Sequence, residues 1–286
     1  MNLNFKTMGV MNLTPNSFSD GNNLKSRLKQ KRTFQSFLED FDIIDVGAES
    51  TAPFNDPIGA KEELTRLENF LIPLIDSMED PNCVISIDTY RPEVFFEIAL
   101  LLNKAWPETS LVFNDISGQC DNDLKLIMES DLEFSYVLSH NLASQRDLAS
   151  FHMDYVLDLK GENFIKEVLL WFEKRLDFFS STDKQVILDP CFGFSKSREQ
   201  NHELLRSFSL LGSKFKEFCI MVGVSRKSFM RFPKDLNPRL PSSQLQLDCL
   251  QTLVAHNLLT NNENQLIFRT HNLAPFKALR DAAKIF

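Results

Sequence analysis

Several motifs that mark common enzyme classes are missing from this sequence. It contains no His-Glu-x-x-His pair, no Gly-x-Ser-x-Gly elbow and no Walker-type phosphate loop, so zinc-dependent hydrolysis, serine hydrolysis and nucleoside triphosphate hydrolysis have no support. The five cysteines are widely spaced and include no Cys-x-x-Cys pair. This predicts neither a disulfide framework nor a thiolate zinc site.

The chain also lacks excess positive charge and long apolar runs. It carries 31 Lys and Arg against 39 Asp and Glu, a formal net charge of −8, which argues against the broad basic surface that nucleic acids require. No apolar run approaches the roughly 18 residues of a membrane span, and no basic segment with an apolar stretch opens the chain. We expect a cytoplasmic protein with no nucleic-acid or membrane partner.

Glycine and proline are scarce, at 9 and 12 of 286 residues, while 43% of residues are hydrophobic and 24% are charged. This is the composition of a folded soluble protein without low-complexity segments. The 26 phenylalanines are expected to fill the core. Length alone permits two domains, but α/β barrels often fill this size as one.

Eight short apolar or β-branched runs, each bounded by turn residues, predict strands. Helical spacing follows most of them; Pro92 sits where a first helical turn tolerates proline, and Ser197 with Gln200 has capping-box spacing. The predicted strands are Met8–Leu13, Ile43–Gly47, Val84–Asp88, Leu111–Asp115, Phe134–Ser139, Val186–Asp189, Cys219–Gly223 and Leu266–Thr270.

Strand followed by helix, repeated about eight times, favours a (β/α)8 TIM barrel of class α/β, forming a single domain over residues 1–286. A doubly wound sheet is the second possibility. The stretch Tyr155–Lys160 also has strand character, and we assign it to the connection after the fifth strand.

Polar side chains stand at the carboxyl end of every predicted strand. Barrel enzymes place their chemistry on this face, so the eight endings predict one active-site mouth. Any single Asp or Asn there could instead be a turn former or a helix cap. The endings are Asn12, Glu49-Ser50-Thr51, Asp88-Thr89, Asn114-Asp115, His140, Asp189, Ser225-Arg226-Lys227 and Arg269-Thr270-His271.

Three of these residues, Asp88, Asn114 and Asp189, supply mainly hydrogen-bond acceptors. A matching ligand presents several N–H groups along a planar edge, as the amino-pyrimidinone edge of a pterin does. Lys227 can donate to a ring carbonyl or ring nitrogen, or it can be an ordinary surface lysine.

A second group of polar residues suits an anion. Arg226, Arg269 and His271 match a phosphate or pyrophosphate, although His271 alone could be structural. Asn12 offers an amide oxygen, and Mg²⁺ commonly takes only one or two protein oxygens together with substrate phosphates and water. Mg²⁺ is therefore the expected cofactor.

The motifs around these residues form an ordered series. They are "MGVMNLTPNSFSDG", "IDVGAESTAP", "ISIDTY", "FNDISG", "VLSH", "ILDPCFGFSK", "VGVSRKSF" and "IFRTH". In the order and spacing of these motifs, the chain resembles the dihydropteroate synthases from about Met8 to the C-terminus. The resemblance implies a (β/α)8 barrel, usually a homodimer, that condenses 6-hydroxymethyl-7,8-dihydropterin pyrophosphate with p-aminobenzoate to give dihydropteroate and pyrophosphate.

Carried over residue by residue, the resemblance assigns roles on the pterin and pyrophosphate sides. It places Asp88, Asn114, Asp189 and Lys227 on the pterin, with Phe194 beside the ring. The residues it places at the pyrophosphate are Arg269, His271 and Thr51, with Asn12 on Mg²⁺. The residues it assigns to catalysis are Lys227, Asp189 and Arg269.

The second-substrate side both resembles the family and departs from it. Ser225 and Arg226 would border the p-aminobenzoate pocket, but Asn16 and Ala52 stand where the family pattern has Asp and Arg. Losing both members of an ion pair is closer to neutral for folding than losing one. We expect lowered turnover or an altered amine. A pterin-binding paralogue without synthase activity is the alternative, and a methyltransferase that uses a reduced pterin methyl donor is a weaker third.

Overall fold

The computed structural model describes residues 4–13, 24–49, 57–231 and 244–285. Its eight strands are all parallel, and β1 pairs with both β2 and β8, which closes the barrel. The strands are β1 Phe5–Asn12, β2 Ile43–Gly47, β3 Val84–Asp88, β4 Ser110–Asp115, β5 Ser135–Ser139, β6 Val186–Asp189, β7 Cys219–Val222 and β8 Leu266–Thr270. The predicted (β/α)8 barrel is confirmed, and closure rules out the doubly wound sheet.

Helices follow the strands around the outside of the barrel. Three short 3-10 segments, Arg146–Tyr155, Asp177–Phe179 and Ser228–Met230, lie in the connections. The α-helices of the described residues are α1 Leu24–Asp40, α2 Ala60–Ile75, α3 Pro92–Ala105, α4 Asn122–Met128, α5 Gly161–Leu176, α6 Arg198–Arg206, α7 Phe208–Lys214, α8 Gln244–Thr260 and α9 Ala274–Ile285. None of these helices combines the length and the apolar character that crossing a membrane needs.

Local sequence signals explain where several elements begin. Pro92 opens α3, where its missing N–H would have had no helical partner. The capping box of α6 is formed in both directions: Gln200 N donates to Ser197 Oγ at 3.2 Å, and Ser197 N donates to Gln200 Oε1 at 2.8 Å. Residues 156–160 form no strand, so their assignment to a connection is confirmed.

The barrel interior changes from apolar to polar along its axis. Side chains two residues apart on a strand face the same way. The residues two positions after one inward-facing layer therefore form the next inward-facing layer. The apolar floor contains Met8, Ile43, Val112, Val137, Ile187, Met221 and Ile267. The residues two positions after these seven are Val10, Asp45, Asn114, Ser139, Asp189, Gly223 and Arg269. This mostly polar layer forms the base of the cavity described next.

Candidate active site

A cavity of about 650 Å³ opens at the carboxyl end of the strands. Ten of the eleven residues predicted for the site line it: Asn12, Asp88, Asn114, Asp189, Phe194, Ser225, Arg226, Lys227, Arg269 and His271. The eleventh, Thr51, lies outside the described residues, as do Asn16 and Ala52. Every predicted strand ending therefore brings at least one polar residue to this cavity, with one exception.

That exception is His140, which we expected at the mouth. Val137 and Ser139 face the barrel interior, so His140 faces the other way, and its ring packs 4.8 Å from the ring of Trp171 on α5. Burial holds the pKa of His140 well below its usual range. The expectation for His140 was wrong because a strand ending fixes position along the barrel but not the side on which the residue points.

The centre of the polar layer is Asp45, which our sequence analysis missed. It is fully buried, and its Oδ1 accepts hydrogen bonds from Ser86 Oγ at 2.6 Å and Asn114 Nδ2 at 3.1 Å. Its Oδ2 accepts from Arg269 Nε at 2.7 Å. The signal was present in the alternation of β2, because Asp45 follows the floor residue Ile43 by two.

Arg269 is shared between two carboxylates. Its Nη2 lies 2.6 Å from Asp45 Oδ2 and 2.5 Å from Asp88 Oδ2. Burial raises the pKa of Asp88, although the guanidinium of Arg269 opposes the increase. The sequence had assigned Arg269 to an anion, whereas in this structure the Nε and Nη2 groups are already paired and only its remaining N–H groups are open to a ligand.

Asn114 and Asp189 keep acceptor atoms available to a ligand, as Asp88 does at Oδ1. Asn114 Oδ1 is buried and has no hydrogen-bond partner among the described residues, because the Nδ2 group is the one that Asp45 holds. Asp189 accepts from Cys191 N at Oδ1, at 2.7 Å, and burial raises the pKa of its carboxyl group. An unpartnered buried acceptor costs free energy, so a ligand that donates N–H groups here removes that cost.

Phe194 forms one wall of the cavity and contacts two polar side chains. Lys227 Nζ lies 4.3 Å from the centroid of its ring, and the His152 ring stacks on it at 3.9 Å. Gly193 has φ +84°, and a Cβ there would lie 3.0 Å from Lys227 Cδ. Burial lowers the pKa of Lys227. Glycine at 193 thus lets the lysine side chain pass close to the loop.

His271 contacts Ser225 at the end of the barrel where β7 and β8 meet. Its Nδ1 and its backbone N both lie 3.3 Å from Ser225 Oγ. Burial, followed by the charge of Arg226, lowers the pKa of His271 to about 4. The imidazole is therefore neutral near pH 7, and it can donate a hydrogen bond to an anion without adding a positive charge.

Lys196 is a second residue that our sequence analysis missed. Its side chain is 2% exposed, and Nζ lies 3.0 Å from His140 Nδ1. It donates to the carbonyl oxygens of Phe194 at 2.9 Å, and of His140 and Cys191 at 3.2 Å each. The ammonium group thus ties the end of β5 to the loop after β6, which carries Phe194. Burial lowers its pKa to about 8.

Glu49, at the end of the described part of the loop after β2, is held by residues that follow β3. Arg91 Nη1 donates to Glu49 Oε2 at 2.8 Å and to Glu63 Oε2 at 2.5 Å, and Tyr90 OH donates to Glu49 Oε1 at 3.1 Å. Glu49 lines the cavity, but its charge is already paired. It is therefore a support for the loop rather than a free acid.

A smaller cavity of about 410 Å³ lies beside the first. Ser225, Arg226, Lys227 and His271 line both. The outer wall of the smaller cavity comes from α8, through Gln244 and Gln251 among others, and from Asn272 after β8. Space therefore continues past the first cavity toward the side where the second substrate is expected.

Sequence comparisons relate this chain to known proteins. The profile of the family described as pterin binding enzyme matches residues 8–255. The chain is 33% identical over 230 residues to a dihydropteroate synthase from Synechocystis, covering 78% of this chain and 72% of that protein. It is 32% identical over 237 residues to the mitochondrial folate synthesis bifunctional protein of Pisum sativum, covering 78% of this chain but only 43% of that longer protein.

A solved structure shows the same architecture. The dihydropteroate synthase of Anaplasma phagocytophilum, determined with bound 6-hydroxymethylpterin-monophosphate, superposes with a TM-score of 0.73 at 26% identity and 99% coverage of both chains. The match thus spans the whole barrel. Together with the family profile, it shows that this chain belongs to the pterin-binding enzyme family.

Proposed function

We propose that the protein is a dihydropteroate synthase, which joins 6-hydroxymethyl-7,8-dihydropterin pyrophosphate to p-aminobenzoate. The observation that supports this most directly is the meeting of Asp88, Asn114, Asp189 and Lys227 around one cavity, although they lie far apart in sequence. Such a set matches the donor and acceptor pattern of a pterin. The relatives named as dihydropteroate synthases support the same activity.

On the pterin, each polar side chain has a role that follows from its free atoms. Asn114 Oδ1 and the Asp189 carboxylate accept the N–H groups of the amino-pyrimidinone edge, because their other atoms are already bonded. Asp88 contributes Oδ1, since Oδ2 is held by Arg269. Lys227 donates to a ring carbonyl or nitrogen, and Phe194 borders the ring.

The pyrophosphate would lie toward the ends of β8 and β1. There Arg269 and His271 offer N–H groups, and Asn12 is exposed on the cavity wall. The described residues contain no cluster of three or more His, Cys, Asp or Glu that could hold a metal. Mg²⁺ fits this pattern because it needs only one or two protein oxygens when phosphate oxygens complete its shell, and it would neutralise charge on the departing pyrophosphate. Thr51 is proposed for the same side.

The reaction that this set of side chains favours is dissociative. As the C–O bond breaks, positive charge develops on the pterin methylene and delocalises into the ring. Asp45 and Asp88 share a single guanidinium, so net negative charge remains beside the ring when both are ionised, and fixed charge of this kind stabilises a developing cation. The amine then attacks, and Ser225 and Arg226 help to orient it. A site built for binding and orientation is sufficient for this chemistry.

A coupled assay tests the proposal. With dihydropterin pyrophosphate, p-aminobenzoate and Mg²⁺, we expect pyrophosphate release that requires both substrates. Lys227→Ala should lose most of this activity, whereas Lys277→Ala should not, because Lys277 lies on α9 in an exposed ion pair with Asp40. No release from a folded wild-type protein would refute synthase activity.

The second candidate is a pterin-binding paralogue without synthase activity. It is favoured by Asn16 and Ala52, which stand in the first two loops where the family pattern has an aspartate and an arginine. Calorimetric binding of dihydropterin pyrophosphate with no turnover would support it. The single domain over residues 1–286, the homodimer and the cytoplasmic location stay predictions that size-exclusion chromatography and fractionation can test.

A further inference from the structure

Arg198 contributes a positive charge to the cavity that neither the motifs nor the proposed roles use. It is the first residue of α6, and it lines the cavity together with Gly193, Ser228 and Phe229. Its side chain is half-buried, and its Nη2 donates to the carbonyl oxygen of Arg231 at 2.5 Å. This bond holds the guanidinium between the loop after β6 and the loop after β7, and the described residues provide no other acceptor for its N–H groups.

Two of the other cations around this site already have partners. Arg269 pairs with Asp45 and Asp88, and Lys196 is surrounded by acceptors. Across residues 4–13, 24–49, 57–231 and 244–285, neither Arg198 nor Arg226 lies within ion-pair distance of a carboxylate. Two guanidinium groups that line one cavity, with no carboxylate partner among the described residues, favour an anionic ligand.

Fewer backbone N–H groups are free at the start of α6 than at an uncapped helix. The capping box between Ser197 and Gln200 already uses N–H groups there. The side chain of Arg198 is therefore the donor, and a planar guanidinium can hold both oxygens of a carboxylate.

The place of Arg198 in the strand order favours one of the two anions of the reaction over the other. The pyrophosphate is proposed at Asn12, Arg269 and His271, which lie on the adjacent strands β1 and β8 and just after β8. Arg198 follows β6, and β7 lies between β6 and β8. It therefore stands closer in the strand order to Arg226, at the second-substrate side.

We propose that Arg198 is a specificity-determining residue that binds the carboxylate of the amine substrate. The proposal rests on the proposed synthase function and adds to it the residue that selects an acidic aryl-amine over a neutral one. Arg226 lines the same cavity from the neighbouring loop and acts on the same group.

A substrate comparison tests this role. Wild type and Arg198→Gln are assayed with 4-aminobenzoate and with its neutral isostere 4-aminobenzamide. We expect the KM for 4-aminobenzoate to rise about tenfold in Arg198→Gln, because a charge-assisted hydrogen bond is lost, while the KM for 4-aminobenzamide is unchanged. Arg198→Lys should retain part of the preference, since it keeps the charge but loses the planar fork.

The matched control is Arg206→Gln, the same change at the exposed last residue of α6, about 12 Å from Arg198 at 1.5 Å per residue. It should leave both KM values unchanged. Equal losses for the two amines in Arg198→Gln would overturn the proposal, because they would show that the residue only supports the loop at Arg231. Weaker inhibition by inorganic pyrophosphate would also overturn it and assign Arg198 to the other anion.

Failure of the proposed function would be distinguishable from failure of this inference. If the wild type turns over neither amine, calorimetry can measure 4-aminobenzoate binding to the protein loaded with dihydropterin pyrophosphate. A dissociation constant about tenfold weaker in Arg198→Gln supports the role, and an equal or undetectable affinity in both proteins overturns it.

Discussion

Asp45→Asn is the most informative single change in this protein, because it keeps the shape of a fully buried side chain and removes its charge. Asp45 accepts at Oδ1 from Ser86 and Asn114 and at Oδ2 from Arg269. An asparagine has one accepting oxygen and one donating amide group. In one orientation its amide group faces the donating Nδ2 of Asn114, and in the other it faces the donating Nε of Arg269. The side chain cannot turn to water to relieve this.

The expected cost can be worked out from these contacts. Hydrogen bonds to charged groups contribute about 1.5–3 kcal/mol, and removing one partner of a buried ion pair costs about 3–5 kcal/mol. Arg269 keeps its contact with Asp88, so we expect a loss of about 2–4 kcal/mol in the free energy of unfolding. Pterin affinity should also fall, because Asn114 loses the partner that orients its free Oδ1.

Urea denaturation gives the first readout and calorimetric titration with dihydropterin pyrophosphate the second. The urea midpoint should fall by about 1 M or more. The matched control is Asp42→Asn, whose ion pair with Arg280 is 39% and 37% exposed. There the contacts all use Oδ2, which an amide oxygen can replace, and exposed pairs contribute no more than about 1 kcal/mol. An Asp45→Asn protein as stable as this control would refute the central role given to Asp45.

Three further predictions concern the cavity and its loops. Asp189→Asn should weaken binding of dihydropterin pyrophosphate about tenfold or more, measured by calorimetry, because a charged acceptor becomes a neutral amide; unchanged affinity would remove Asp189 from the pterin site. Ala52→Arg alone should not raise kcat, whereas Ala52→Arg with Asn16→Asp should, since the pair couples; equal rates for the single and double variants would contradict this. His152 has a pKa lowered to about 4, chiefly by burial and then by Lys227, so the unfolded chain binds more protons than the folded one between about pH 6.5 and 4. His152 therefore contributes stability that is present above pH 6.5 and lost as the pH falls, and urea midpoints of His152→Gln should depend less on pH over that range than those of wild type.

The strands were predictable because each is a short apolar run that ends on polar or turn residues. Four of the eight had their bounds predicted without error, among them Val84–Asp88 and Leu266–Thr270. The start of β1 was placed three residues late, at Met8 rather than Phe5. Lys6 interrupts the apolar pattern there, since it is the exposed member of the first few residues of the strand.

The site was predictable in membership but not in its internal pairing. Asp45 was missed because it lies inside an apolar run rather than at a strand ending, and only the alternation along β2 reveals that it faces inward. The pairing of Arg269 with Asp45 joins residues 224 positions apart. Contacts at such separations come from closure of the barrel, which no local pattern encodes.

The buried ammonium of Lys196 has a consequence for affinity. Its bonds to carbonyl groups and to an imidazole hold the Phe194 wall in place before any substrate arrives. We therefore expect a heterocycle that binds against Phe194 to meet a surface that is already organised, so that little of its binding free energy is lost to ordering that loop. Affinity for the first substrate is in this way established by the folding of the barrel itself.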